Sequence, residues 1–299
     1  MGLPRSKGII IKQENVTDYF IQSDGSDQSS SSNEIRRNRR WEFQLRAPLV
    51  LKDNFKMAVG VKYFVEEFRF DDTDSEFEFY NNLEDRSLRN LATSLFLVKP
   101  TRTNRYYLLR LNAQLNGDFS TGNISANNFL KYSITPLVGW KKNDYTSYAF
   151  GFSFGYSFGQ RSIFPIFSYN KSFNTQWGIE TILPVKARLR YGSLDQKSYV
   201  YLTSELNGAS YNIDIDLNNP EGTNFLFLNK SEVRFLISLE REIHDWLWFG
   251  VEGGMRKNIN FDLTSSPRRN TDIIIENQLN NAFLFSVSLF IVPPRKFLE

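Results

Sequence analysis

Cysteine is absent from the 299 residues, histidine occurs once and methionine three times. Without cysteine there is no disulfide, no thiol nucleophile and no thiolate-ligated metal. The single histidine, His244, sits in the turn sequence IHDW. A Ser–His–Asp arrangement would have to use it, and its neighbour Asp245 is adjacent in sequence with no orienting geometry, so a solvated turn histidine is expected. No GxSxG, P-loop, dinucleotide fingerprint or HExxH occurs. The acidic run DDTDSEFE lacks the spaced order of a calcium loop and reads as a solvated charged loop. No catalytic residue, metal or cofactor is expected, and the chain does not read as an enzyme.

Charge of one sign is also scarce: a net +3 gives no case for nucleic acid. Mean hydropathy is −0.40, and no run approaches the roughly 18 apolar residues of a transmembrane helix. That excludes a helical membrane protein but not a membrane β-barrel, whose alternation hides its apolar face. The N-terminus lacks a charged n-region followed by an apolar h-region. Taken literally, that argues against export; the alternative, which the outer-membrane reading adopts, is that a signal peptide has been removed and Met1 and Gly2 stand in its place.

What is abundant is alternation. In YAFGFSFGYSFGQ, the residues Tyr148, Phe150, Phe152, Phe154, Tyr156 and Phe158 alternate with Ala, Gly and Ser. Successive Cβ atoms of a strand point to opposite faces, so a period of two fixes a strand with one aromatic face. The same period recurs in WEFQLRAPL, FKMAVGVKY, YLLRLNAQLNG, EVRFLISLE and AFLFSVSLFI. No segment shows a convincing 3.6-residue apolar stripe. The chain reads as all-β.

Connections alternate in length. Short turns at 52–54, 99–104, 141–144, 173–176, 193–197 and 243–245 alternate with longer polar stretches at 23–34, 71–85, 117–128, 214–225 and 264–272. An up-and-down meander with one periplasmic and one extracellular rim gives this pattern. Strands are expected at 8–22, 36–49, 55–70, 87–98, 106–117, 129–140 and 145–159. The second half adds 163–172, 176–183, 185–192, 198–213, 230–242, 246–262 and 281–292, with both termini at the short-turn rim. The fold class is therefore a transmembrane up-and-down antiparallel β-barrel of 14 strands, or 12 if Pro184 does not divide 176–192. Residues 1–299 form one domain, with a Ser-rich mobile loop at 23–34 and a tail at 293–299.

Many of these strands exceed the usual five or six residues of globular proteins, as a tilted membrane strand requires. By parity the polar faces carry Arg40, Glu42, Arg46, Lys56, Lys62, Arg110, Glu180, Lys186, Arg188, Arg190, Glu232, Arg234, Glu240, Glu252 and Arg256. In a barrel these line the lumen, either as a pore wall or as an internal salt-bridge network. Glu66, Lys131 and Glu205 share that parity. Tyr148, Phe150, Phe152, Phe154, Tyr156 and Phe158 are expected to face lipid. Trp41, Tyr63, Tyr107, Trp140, Tyr145, Trp177, Tyr191 and Trp246 suit interfacial girdles.

The second half carries Pro165 within FPIFSYNKSF, Trp177 after a tight turn, Leu183–Pro184, then Leu189-Arg190-Tyr191 and a strand running into LNGASYNI. With the closing LEREIHDWLWFGVEGGMRKN, these features resemble an uncharacterised outer-membrane β-barrel family of Bacteroidetes-type bacteria, domain of unknown function 6268. The resemblance spans most of the chain from about residue 40. It implies an outer-membrane location and no activity. Two departures stand out: PPRKFLE follows the last strand, so that Phe290 or Phe297 would act as the terminal aromatic, and the signal peptide is missing.

The functional expectation is an outer-membrane barrel acting as a passive channel or narrow transporter for small polar or anionic solutes. The alternative is a closed structural or accessory barrel that binds a partner protein in an envelope complex. Expected partners are outer-membrane lipid and, under the alternative, another envelope protein, with no nucleic acid.

Overall fold

The computed structural model describes residues 5–26, 30–71, 78–119, 129–157, 160–214, 225–265 and 273–297. The alternating segments form sixteen strands: β1 (Ile9–Val16), β2 (Tyr19–Gly25), β3 (Ser30–Lys52), β4 (Phe55–Phe70), β5 (Leu88–Pro100), β6 (Arg105–Gly117), β7 (Leu130–Asn143) and β8 (Thr146–Ser157). Then follow β9 (Gln160–Ser172), β10 (Trp177–Leu183), β11 (Lys186–Gly192), β12 (Ser198–Asp214), β13 (Phe225–His244), β14 (Leu247–Thr264), β15 (Ile273–Leu279) and β16 (Ala282–Ile291). From β2 to β15 neighbours in sequence pair antiparallel, β16 pairs with β14, and β1 pairs with both β3 and β16, which closes the sheet.

β1 and β2 are halves of one wall strand, as are β15 and β16. The breaks lie side by side: Thr17 N–H donates to the Phe283 carbonyl at 2.9 Å, and Asn280 N–H to the Phe20 carbonyl at 3.1 Å. Joining the halves gives a closed antiparallel barrel of 14 strands. Pro184 does divide 176–192, because β10 and β11 are joined by a two-residue turn at 184–185. Ladders pair the strands on both sides except above the short β10–β11 hairpin, and paired edges are the condition for a sheet in hydrocarbon.

Three differences from the sequence reading concern the long-loop rim. The stretch 23–34 is not simply a loop, since Ser23 pairs with Ser31 and Asp24 with Ser30, extending the β2–β3 hairpin. Residues 273–279, expected in no strand, form β15. A helix, α1 (Glu78–Asp85), occupies the end of what reads as a polar loop. Its Phe79, Tyr80 and Leu83 recur at helical spacing and are buried, so a stripe exists, too short to stand out in the sequence.

Outside, the wall is apolar. Phe235, Ile237, Leu239, Phe283, Phe285 and Leu289 point outward and are exposed. Tyr107, Tyr145, Tyr148, Trp177, Tyr191 and Trp246 are exposed near the short turns, whereas Trp41 and Tyr63 lie higher on β3 and β4. No helix is long and apolar enough to cross a membrane, which says nothing of crossing by strands.

Candidate functional site

Inward parity brings charged residues from β1, β3, β4, β12, β13 and β14 to one level of the lumen. Arg40, only 3% exposed, is at the centre. It donates to Glu14 at 2.8 Å, Glu66 at 2.8 Å and both oxygens of Glu232 at 3.0 and 3.1 Å. Lys230 reaches Glu66 at 2.6 Å. Arg234 binds Glu232 and Glu14, and Arg256 binds Glu232 at 3.2 Å while lying 4.1 Å over the Tyr19 ring. Removing such charges from water costs several kcal/mol per ion, and only mutual pairing with full hydrogen bonding offsets it.

This network spans the barrel from β3 and β4 to β13. Above it, towards the long-loop rim, an apolar cap is built from Phe68, Phe70, Leu88, Tyr211, Leu228, Phe261 and Leu263, with Phe79, Tyr80 and Leu83 of α1. Glu84 anchors the helix by accepting from Phe70 N–H at 3.1 Å and Arg69 at 2.8 Å. Below the network, at the short-turn rim, Tyr199, Tyr201, Trp248, Phe290 and Val292 form an aromatic floor. Both chain ends close that floor. Arg5 and Arg295 each bind Glu242 and Asp245, and Lys7 binds Glu240 at 2.5 Å.

Of the residues expected on the lumen wall, Arg40, Glu232, Arg234 and Arg256 belong to the central network. Glu252 accepts from Lys12 at 2.6 Å, and Glu42 from Lys62 at 2.8 Å. Glu180 holds both Arg188 and Arg190, the latter at 3.2 Å, and Lys186 reaches Glu205 at 3.0 Å. The cationic group Lys186, Arg188 and Arg190 is thus paired with carboxylates and not free to recruit anions. Lys56 is a correction: it is exposed at the short-turn rim, where β4 begins, beyond the paired interior.

Two connected cavities remain. The first, of about 560 Å³, lies against β3–β6. It is lined by Lys12, Arg40, Arg46, Lys62, Arg110, Lys186, Lys230 and Arg234 against Glu42, Glu66, Glu205, Glu232 and Glu252. Among the described residues, no carboxylate pairs with Arg46 or Arg110, and Arg110 lies over Phe96 at 5.5 Å. The second, of about 420 Å³, lies against β6–β9 and shares Phe96, Arg110, Asn112, Gln114 and Asn207 with the first. No metal-binding group of carboxylates and histidine occurs among the described residues. Asp245 serves Arg5 and Arg295, while His244 packs near Trp246 at 5.7 Å.

On β8, Tyr148, Phe150, Phe152 and Phe154 point outward and are exposed. Tyr156 does not follow them. Gly155 adopts φ +115°, and a Cβ there would collide with the Tyr132 carbonyl. This backbone inversion, available to glycine, turns Tyr156 inward, with its ring 5.7 Å from Lys131 Nζ and lining the second cavity. Phe158 lies outside the described residues, as do Asp72, Asp74 and Glu76 of the acidic run. The sequence reading missed Lys12, Glu14 and Lys230 as lumen residues. Their signal was present, since Lys12 and Glu14 oppose Ile9 and Ile11, and Lys230 shares parity with Glu232 and Arg234.

The molecule is thus defined as a closed β-barrel with an apolar exterior and a lumen half filled by ion pairs and aromatic layers. Residues 10–290 match the model of the Domain of unknown function (DUF6268) family, and the chain belongs to that family. No curated protein matches the sequence. Solved structures similar to the barrel include a TodX monoaromatic hydrocarbon channel mutant, 9% identical over 96% of this chain and 91% of that chain, with a TM-score of 0.44. The COG4313 outer membrane channel from Pseudomonas putida F1 is 8% identical over 96% of each chain, with a TM-score of 0.43. The KdgM porin in complex with disordered oligogalacturonate is 7% identical over 93% of this chain and 99% of that chain, with a TM-score of 0.35.

Proposed function

We propose that this protein is an outer-membrane barrel that acts as a narrow channel for small anionic solutes. The apolar exterior, girdled by aromatics, supports the location. One observation carries the channel reading: the 560 Å³ cavity has an excess of cations, and among the described residues Arg46 and Arg110 stand in it without carboxylate partners. Charges facing a wet lumen without a fixed counter-ion favour mobile ions of opposite sign. The anion-selective wall is therefore Arg46 and Arg110, not the paired Lys186–Arg190 group.

The test is single-channel recording of the purified barrel in planar bilayers. Discrete steps are expected, with a reversal potential favouring anions that inverts in the Arg46→Glu, Arg110→Glu double variant. Silence from a folded, heat-modifiable barrel would overturn the channel. It would favour an accessory barrel that binds another envelope protein, a reading supported by the apolar cap and buried ion network across the lumen.

A further inference from the structure

Among the described residues, the ladder register leaves the wall incomplete between β9 and β12. β10 and β11 have seven residues each, and their last link to the flanking wall is Leu206 N–H donating to the Val185 carbonyl at 2.8 Å. Above that turn, β9 from 160 to 166 has ladder partners on β8 alone. β12 beyond Asn207 has them on β13 alone, apart from one bridge, Asn212 to Gly117 of β6. The upper part of β12 therefore leans across the lumen instead of completing the wall. It is held there by Asp118 N–H donating to the Asn212 carbonyl at 3.3 Å and by Lys131 Nζ donating to the Ser210 carbonyl.

Free strand edges are costly in hydrocarbon because their polar groups go unpaired. These two edges are fitted to that environment. Ser172 N–H bonds towards β8, so odd-numbered residues of β9 turn their peptide groups to the gap, as Tyr169 does towards the Thr181 hydroxyl at 3.1 Å. Pro165 falls at such a position and has no N–H to leave unpaired. On β12 the parity of Leu206 turns Ser210 and Asn212 towards the gap, and theirs are the two carbonyls already bonded. A seven-residue tilted strand climbs about 16 Å, so the sill of the gap lies inside an apolar band about 25 Å tall.

Behind the gap is the 420 Å³ cavity. Phe164, Ile166, Ile182, Val185 and Leu206 surround its mouth, and Lys131, Ser133, Thr135 and Ser153 line its rear. Its described lining contains Lys131 and Arg110 but no aspartate or glutamate. Lys131 is 3% exposed and has no carboxylate partner among the described residues, where its bond to the Ser210 carbonyl uses one of its three donors. The volume suits about 14 water-sized groups.

We infer that the gap between β9 and β12 is a lateral port through which a medium-chain carboxylate passes from the outer leaflet into this cavity. The acyl tail lies against Phe164, Ile166 and Leu206, and the carboxylate is held by Lys131. This inference does not depend on ion conduction through the larger cavity.

The absence of cysteine allows one reporter at the mouth: Gly208→Cys carrying an environment-sensitive fluorophore, in vesicles containing the folded barrel. Decanoate is expected to shift its emission saturably, whereas acetate and decanol are not. Lys131→Met should weaken half-saturation about tenfold and Lys131→Arg should restore it. Val185→Trp, which leaves Lys131 in place, should slow the shift by narrowing the mouth. A heat-modifiable barrel that ignores decanoate, answers decanol equally, or binds decanoate unchanged in Lys131→Met would overturn the inference.

Discussion

The two sides of the lumen use the same pleat and differ in what they turn inward. From β12 round through β1 to β4, inward positions hold Phe68, Phe261, Arg40, Glu232 and Arg234, large side chains that fill this side up to the wall of the first cavity. From β5 to β8 they hold Ser94, Asn112, Ser133, Thr135 and Ser153, and the space is a cavity. Strand number alone leaves room for either outcome. The bore is set by side-chain volume at every second residue, and the charges on the filled side act as cross-struts because Glu14, Glu66 and Glu232 are each shared by more than one cation.

The sharpest way to break that comparison is a matched pair of substitutions. Glu232→Ala leaves Arg40, Arg234 and Arg256 short of a shared partner and should cost about 3–5 kcal/mol of stability. Asn112→Ala on the open side should stay within about 0.5 kcal/mol. Equal costs in urea unfolding of vesicle-embedded barrel would mean that the two sides do not differ mechanically. A smaller effect is expected from Leu83→Ala in α1, about 2 kcal/mol, because the cap is partly independent of the wall. It should appear as faster exchange of the Phe70 amide, which Glu84 holds.

The smallest effect concerns the clasp at the chain ends. Desolvation opposes ionisation of Asp245, but the Arg295 amide and the Arg5 and Arg295 guanidinium groups outweigh it and hold the carboxyl below its usual value. A depressed carboxylate contributes stability that is present above its unfolded pKa of about 3.9 and lost as pH falls through the folded value. Protection of the Gly8 amide, which donates to Ile291, should therefore fall below about pH 4 in the native chain. Asp245→Asn should abolish this pH dependence. A pH-independent wild type would remove Asp245 from the clasp.

Alternation made the barrel, its strand number and most inward residues legible from sequence. What it could not convey is where the phase changes. Single-residue irregularities at Gly155, at 17–18 and at Ile259 of β14, which has no partner between Ser231 and Glu232, each exchange the two faces of their strand, as any one-residue slip in a period of two must. Tyr156 was misplaced for that reason. The inward lean of β12 was also hidden, because it follows from the shortness of β10 and β11, two strands away from Asn212. Pairing of Arg188 and Arg190 with the same Glu180 depends on three-dimensional register, which a list of charges along one strand does not contain.

The shared grip of Glu242 and Asp245 on Arg5 and Arg295 also has a bearing on time. One arginine precedes the first strand, and the other follows the last. The Arg40–Glu232 pair, 192 positions apart, imposes the same delay. Contacts this distant in sequence form late, since the chain between them must be ordered first. The first strand therefore waits, half paired, until the end of the chain arrives. An insertion intermediate would be open along the β1–β16 seam, and completion of the barrel would coincide with burial of its ion pairs.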